Sequence, residues 1–157
     1  MAVEIYYLTL DEVVGLHNWV LGEMGSPPSP LLHPYKLDSA IHRPQHLAHY
    51  EKADLIAQAV ALAIGISQAQ AFQDGNKRAA FVATDTFLEM NGISVRGDPM
   101  EFACWLICAA GKVSETDNDT VVEHLGLELA AGLDVMRREE VAALFEGWLR
   151  ANSSISP

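Results

Sequence analysis

Lysine and arginine are scarce in this chain, ten in all against 21 aspartates and glutamates, which leaves a net charge of −11. That balance excludes a general nucleic-acid binder, whose affinity rests on neutralising phosphates with cations. Any anion the protein holds is expected at a small local site. Cysteine is nearly absent: Cys104 and Cys108 are the only two, one helical turn apart in an apolar stretch. They read as buried core thiols, and a reducing, cytoplasmic setting is expected. Long hydrophobic runs are missing too. No apolar stretch reaches the roughly 18 residues a membrane span needs. The opening "MAVEIYYLTLDEV" has acids where a signal peptide needs cations, so export is not expected.

What is present suits a globular protein. Half of the 157 residues are hydrophobic and 20% are charged, enough for one domain over residues 1–157 with one sizeable core. Helix signals dominate. "TLDE" at Thr9–Glu12 is a capping box, followed by Val13, Leu16, Val20, Leu21 and Met24 at a helical period, with Gly25 as the stop. "SPPSP" at 26–30 reads as a loop, and "YKLDSAIHRP" as a short helix ended before Pro44. From about Lys52 to Gln70, Leu55, Ala59, Leu62 and Ile66 form one stripe that Ile56, Val60 and Ala63 widen, so this helix is expected to be central. Another runs from about Asn76 to Met90. "GDPME" at 97–101 offers a second capping box, for a helix to about Ala110. "SETDNDT" at 114–120 reads as an acidic loop, with two further helices near 120–131 and 137–150. The only tempting strand is "ISV" at 93–95. The fold class expected is all-α, a compact helical bundle.

One stretch does not read as packing material. "AFQDGNKRAAF" at 71–81 places an acid, a glycine, an amide and two cations between apolar helices. A helix entered at Asn76 presents free amides and the positive end of its dipole. Gly75 allows close backbone approach, and Lys77 and Arg78 add formal charge, which together make an anion site. Asp74 would repel phosphate unless a divalent cation lies between them, as Mg²⁺ does with one or two carboxylates and phosphate oxygens. The plain alternative is that Asp74 or Asn76 caps a helix with two solvated cations behind it.

The surroundings favour the first reading. "FQDGNKRAA" resembles the signature H-x-F-x-D-G/A-N-K-R-T/A-A of the Fic/Doc (Fido) superfamily, and its Doc (death-on-curing) branch in particular. "YLTLDEVVGLH" looks like the family's opening. "KLDSAIHRPQ" is similar to its L-x-S-A-x-x-R-P-Q segment through Leu37, Ser39, Ala40, Arg43, Pro44 and Gln45, and "TFLEMNGI" resembles the helix end after the motif. The resemblance covers residues 5 to about 112; residues 113–152 read as a helical extension. It implies a helical bundle with the motif loop between two central helices. In the Fic branch it implies transfer of AMP from ATP to a protein hydroxyl. In the Doc branch it implies transfer of the γ-phosphate to a threonine of elongation factor Tu, by a toxin that a Phd antitoxin helix silences. Lys77 stands where Fic proteins have a second glycine, and so points to Doc. Carried over by position, Asp74 would hold Mg²⁺, Gly75 and Asn76 would line the phosphate cradle, and Lys77 and Arg78 would grip ATP. Phe72 would be a buried anchor.

The chain departs from the pattern at its histidine, where Gln70 stands. Glutamine can orient a hydroxyl but cannot take its proton. Ala69 and Ala71 also differ from the usual "NHPF", which reads as divergence of the segment rather than a single exchange. No stand-in can be named among His17, His33, His42, His46, His49 and His124. Three functions therefore stay open: a Doc-like kinase impaired by Gln70, a Fic-type adenylyltransferase, and a catalytically silent protein that binds nucleotide or an antitoxin.

Overall fold

A computed structural model describes residues 4–111, 114–126 and 138–155. Helix α1, Leu10–Glu23, starts at the predicted box. The Thr9 side chain accepts from the Glu12 N–H at 3.2 Å, and the Glu12 carboxylate accepts from the Thr9 N–H at 3.0 Å. Helix α2 spans Pro34–Glu51 and does not end before Pro44 as expected: it runs through it. An interior proline costs a helix about 3 kcal/mol. Here the ring is buried on the same stripe as Leu37, Ala40 and Ile41, and that burial offsets the lost bond. The stripe packs on α3, Leu55–Ala69, so closely that a Cβ on Gly65 would lie 3.2 Å from the Ala40 Cβ.

Helix α3 is the central element, and α2, α4, α5 and α7 pack around it. Asp54 caps it, accepting from the Ala57 N–H, and also receives both terminal nitrogens of Arg150 at 2.9 and 3.0 Å. These Arg150 hydrogen bonds, with the cap bond next, hold the Asp54 carboxyl below its usual range. Helix α4 covers Asn76–Met90, as predicted. Strand β1, Ile93–Val95, leads to α5, Pro99–Ala110, whose cap Asp98 accepts from the Met100 N–H. Buried Cys104 and Cys108 lie on α5 as free thiols, as expected. Burial, then the neighbouring Cys104, pushes the Cys108 thiol up to about 12.

The reading of 114–120 as loop is corrected. Helix α6 spans Glu115–Leu125, with Ser114 accepting from the Asp117 N–H, and Glu115 and Asp117 sit in the first turn where the helix dipole favours acids. It closes at Gly126 (φ 70°), and the rest of the helix expected to 131 lies outside the described residues. Helix α7, Arg138–Asn152, buries Val141, Phe145 and Leu149. It ends in β2, Ser153–Ile155, which pairs antiparallel with β1 in the register Ile93 with Ile155 and Val95 with Ser153. The architecture is helical as expected, with this one short ribbon added. Among the described residues no helix is long and apolar enough to cross a membrane.

Candidate functional site

Residues 70–75 form the turn between α3 and α4, and their backbone is fastened from several directions. Gln70 leaves α3 in the left-handed region, at φ 49° and ψ 42°. The Ala71 carbonyl accepts from the N–H groups of Leu32 and His33, and Gln73 donates to the Pro30 carbonyl. Asp74 donates its N–H to the Ser29 hydroxyl at 2.7 Å. The proline-rich loop therefore serves as a brace for the turn. Phe72 is only 2% exposed and lies flat against the His17 ring of α1, with centroids 3.7 Å apart. The resemblance implied a buried residue at this position, and the ring is buried.

Asn76 completes the turn from inside. Its Oδ1 accepts from the Phe72 N–H at 3.0 Å and its Nδ2 donates to the Phe72 carbonyl at 2.9 Å. The Asn76 side chain is thus committed to the loop, and what this residue offers the exterior is its backbone N–H. Gly75, at φ 81°, is the N-cap of α4 and brings no capping side chain. Its own N–H donates to the Asp74 carboxylate at 2.8 Å. The first intrahelical bond runs from the Ala79 N–H to the Gly75 carbonyl, so the amides of Asn76, Lys77 and Arg78 begin the helix without a partner in it.

These features face a cavity of about 660 Å³ lined by Gln70, Gln73, Asp74, Gly75, Asn76, Lys77, Arg78 and Ala110. The sequence-predicted residues are therefore brought together, Phe72 excepted, which lies beneath them. The cavity combines a helix N-terminus, two cations and one exposed carboxylate, a set that suits an anion accompanied by a cation. Among the described residues no group of three or more His, Cys, Asp or Glu could hold a metal by itself. A divalent ion here would depend on Asp74 and on oxygens supplied by its anion.

Gln70 lines the cavity with a side chain that is already engaged. Its Nε2 donates to the Ser67 carbonyl at 2.7 Å, and its Oε1 is 3.5 Å from the Asn76 amide nitrogen. No histidine replaces it. None lines the cavity; His17 touches the turn from beneath, fully buried, with Nε2 bonded to the Asp74 carbonyl at 2.8 Å.

Two residues of the site escaped sequence reasoning. His17 falls at the helical period between Val13 and Leu21, and all three are buried on α1. A polar residue on an otherwise apolar stripe was the available signal. Asp117 of α6 reaches the Lys77 Nζ at 3.3 Å, a contact 40 residues away in sequence with no local signal.

The search of curated proteins finds no match to the chain. The Fic/DOC family model matches residues 7–88, over half of the chain, from just before α1 to the last turns of α4, with the whole turn inside the match. The chain belongs to the Fic/DOC family.

Proposed function

We propose that this protein is a Doc-type member of its family, built to transfer the γ-phosphate of ATP to a hydroxyl of a protein target, and slowed by Gln70. The observation that carries the reading is Lys77: it lies in the first turn of α4 and lines one cavity with Asn76 and Arg78. Phosphoryl transfer asks for positioning and charge neutralisation more than covalent help. Asn76, Lys77 and Arg78 supply amides and positive charge for phosphate oxygens, and Asp74 supplies the carboxylate for Mg²⁺. ATP with Mg²⁺, when bound, supplies the phosphoryl group and the charge that lets a carboxylate lie beside phosphates. Gln70 can orient the attacking hydroxyl once it lets go of Ser67, but it removes no proton.

In the same reading the setting is cytoplasmic, the target is elongation factor Tu, and a Phd-like antitoxin helix silences the protein. A place for such a helix is the apolar groove of about 490 Å³ between α2, α3 and α7, lined by Leu47, Val60 and Ile64 and by three acids, Glu51, Glu139 and Glu146, against one cation, Arg43. Its acids suit a basic amphipathic segment.

A second reading, a silent nucleotide- or antitoxin-binding protein, is favoured by the engaged Gln70 amide. An adenylyltransferase of the Fic kind is disfavoured by Lys77. Incubation with γ- or α-labelled ATP and elongation factor Tu separates the three: γ-label retained means kinase, α-label means adenylylation, neither means a silent protein. Gln70→His is expected to raise γ-transfer by about 10²–10⁴-fold with little change in nucleotide affinity. An unaltered chain that transfers phosphate as fast as Gln70→His would refute the role of position 70.

A further inference from the structure

His17 touches three residues of the turn from below. Its ring lies on Phe72, its Nε2 is bonded to the Asp74 carbonyl, and a Cβ on Gly75 would sit 3.0 Å from that same nitrogen. A carbonyl only accepts, so Nε2 carries the hydrogen of this bond. Nδ1 is buried and has no hydrogen-bond partner among the described residues. The ring is therefore held by Phe72 and by a single hydrogen bond, and that bond goes to the turn.

The bonded group is the peptide unit that joins Asp74 to Gly75. Its C=O points inward to His17, and its N–H donates to the exposed Asp74 carboxylate. No cis peptide is present among the described residues, and in a trans unit the C=O and N–H point in opposite directions, so fixing one fixes the other. The unit has reason to be fixed. Gly75 lacks the Cβ that would penalise rotation, and its φ of 81° lies where glycine moves freely. A half-turn of this one peptide would aim a carbonyl oxygen at the cavity in place of an N–H. The N–H there is engaged by the Asp74 carboxylate and holds that group beside the three free amides of α4; an oxygen in its place would repel both the carboxylate and the anion those amides attract.

We propose that His17 is a positioning residue that locks the Asp74–Gly75 peptide with its N–H outward, and so sets the cavity to receive an anion. This rests on the reading of the cavity as an anion site. The lock lies in the Nε2–H donor and not in the ring, which makes it separable from packing. Glutamine can place a side-chain nitrogen at nearly the same distance along the chain as the histidine Nε2; phenylalanine keeps the ring and its stacking on Phe72 but has no donor.

The test is Mg–ATP titration by calorimetry into the unaltered chain, His17→Phe and His17→Gln, with ligand-free crystal structures of the variants and urea unfolding as the control for folding. In His17→Phe, affinity is expected to fall about tenfold, the order of one hydrogen bond lost, with the Asp74 carbonyl turned into the cavity. His17→Gln is expected to recover most of that affinity and to keep the carbonyl inward. A folded His17→Phe with unchanged affinity and unturned peptide overturns the proposal. So does a folded His17→Gln as weak as His17→Phe, which would assign the role to the ring. If His17→Phe does not fold, His17→Gln decides alone, because loss of affinity or a turned peptide there refutes the lock. If the unaltered chain binds no Mg–ATP, the functional reading fails, while the peptide orientation in the variants still supports or overturns the lock.

Discussion

Asp117→Asn tests how the cavity is held before a nucleotide enters. The Lys77 Nζ lies 3.3 Å from the Asp117 carboxylate, and the two side chains are 44% and 32% exposed. An ion pair this exposed is worth about 0–1 kcal/mol. A phosphate group arriving at Lys77 competes with Asp117, so the pair's strength is subtracted from nucleotide affinity. Removing the carboxylate should therefore raise Mg–ATP affinity by up to about fivefold, the factor corresponding to 1 kcal/mol. The fold should hardly notice. Ser114, not Asp117, caps α6, and Asp117 adds only the modest benefit of an acid in the first turn, about 0.3–1 kcal/mol. The gain should shrink in high salt, because an exposed pair is screened. Calorimetric titration at low and high ionic strength reads both effects. If Asp117→Asn weakens Mg–ATP binding, Asp117 positions Lys77 or contacts the bound cation, and the competition argument fails.

Two further outcomes follow from groups around the site. Asp54→Asn keeps a capping side chain on α3 but loses the charge that Arg150 holds. Because the folded carboxyl is held below its usual range, its contribution is fully present above about pH 4 and is lost as pH falls through the depressed value. Urea midpoints should therefore separate the two chains at pH 7 and converge toward pH 2; a gap unchanged with pH would show that the ion pair contributes nothing. Phe72→Ala removes a ring that is 2% exposed, and should cost about 3–5 kcal/mol in urea unfolding. A loss below about 1 kcal/mol would mean that the turn is held by its hydrogen bonds and not by this anchor.

Much of the fold was legible because the deciding forces are local. Thr9 and Glu12 announce α1 by reciprocal hydrogen bonds, and the wide apolar stripe of α3 announces a helix with neighbours on most sides. The misreadings have two sources, a tertiary contact that outweighs local preference and a local cap signal that was passed over. Pro44 should end a helix, but its ring is buried and the helix continues. The acids at 114–120 look like a solvated loop, yet Ser114 and the helix dipole make them a helix start. Strand β2 has no signal of its own and exists because α7 delivers it alongside β1.

The site divides in the same way. Gln70 and Gln73–Arg78 lie close together in the chain, so one short stretch of sequence carries most of the cavity lining. The residues that hold or oppose them come from elsewhere: Ser29 and Pro30 from the brace, His17 from α1 and Asp117 from α6. None of these pairings has a spacing rule. The committed Asn76 side chain was hidden as well, since only the geometry shows that it is used on Phe72 and not on a ligand.

The central claim is that the Asp74–Arg78 turn holds the phosphates of a nucleotide. Its most direct test is titration of ATP, with and without Mg²⁺, into the unaltered chain and into Arg78→Ala. Arg78 lines the cavity and forms no ion pair among the described residues, so its removal should spare stability. The account predicts saturable, Mg²⁺-dependent binding that Arg78→Ala weakens by at least about tenfold, as befits a charged donor to phosphate. Absence of saturable binding, or equal affinity in the two chains, would contradict it.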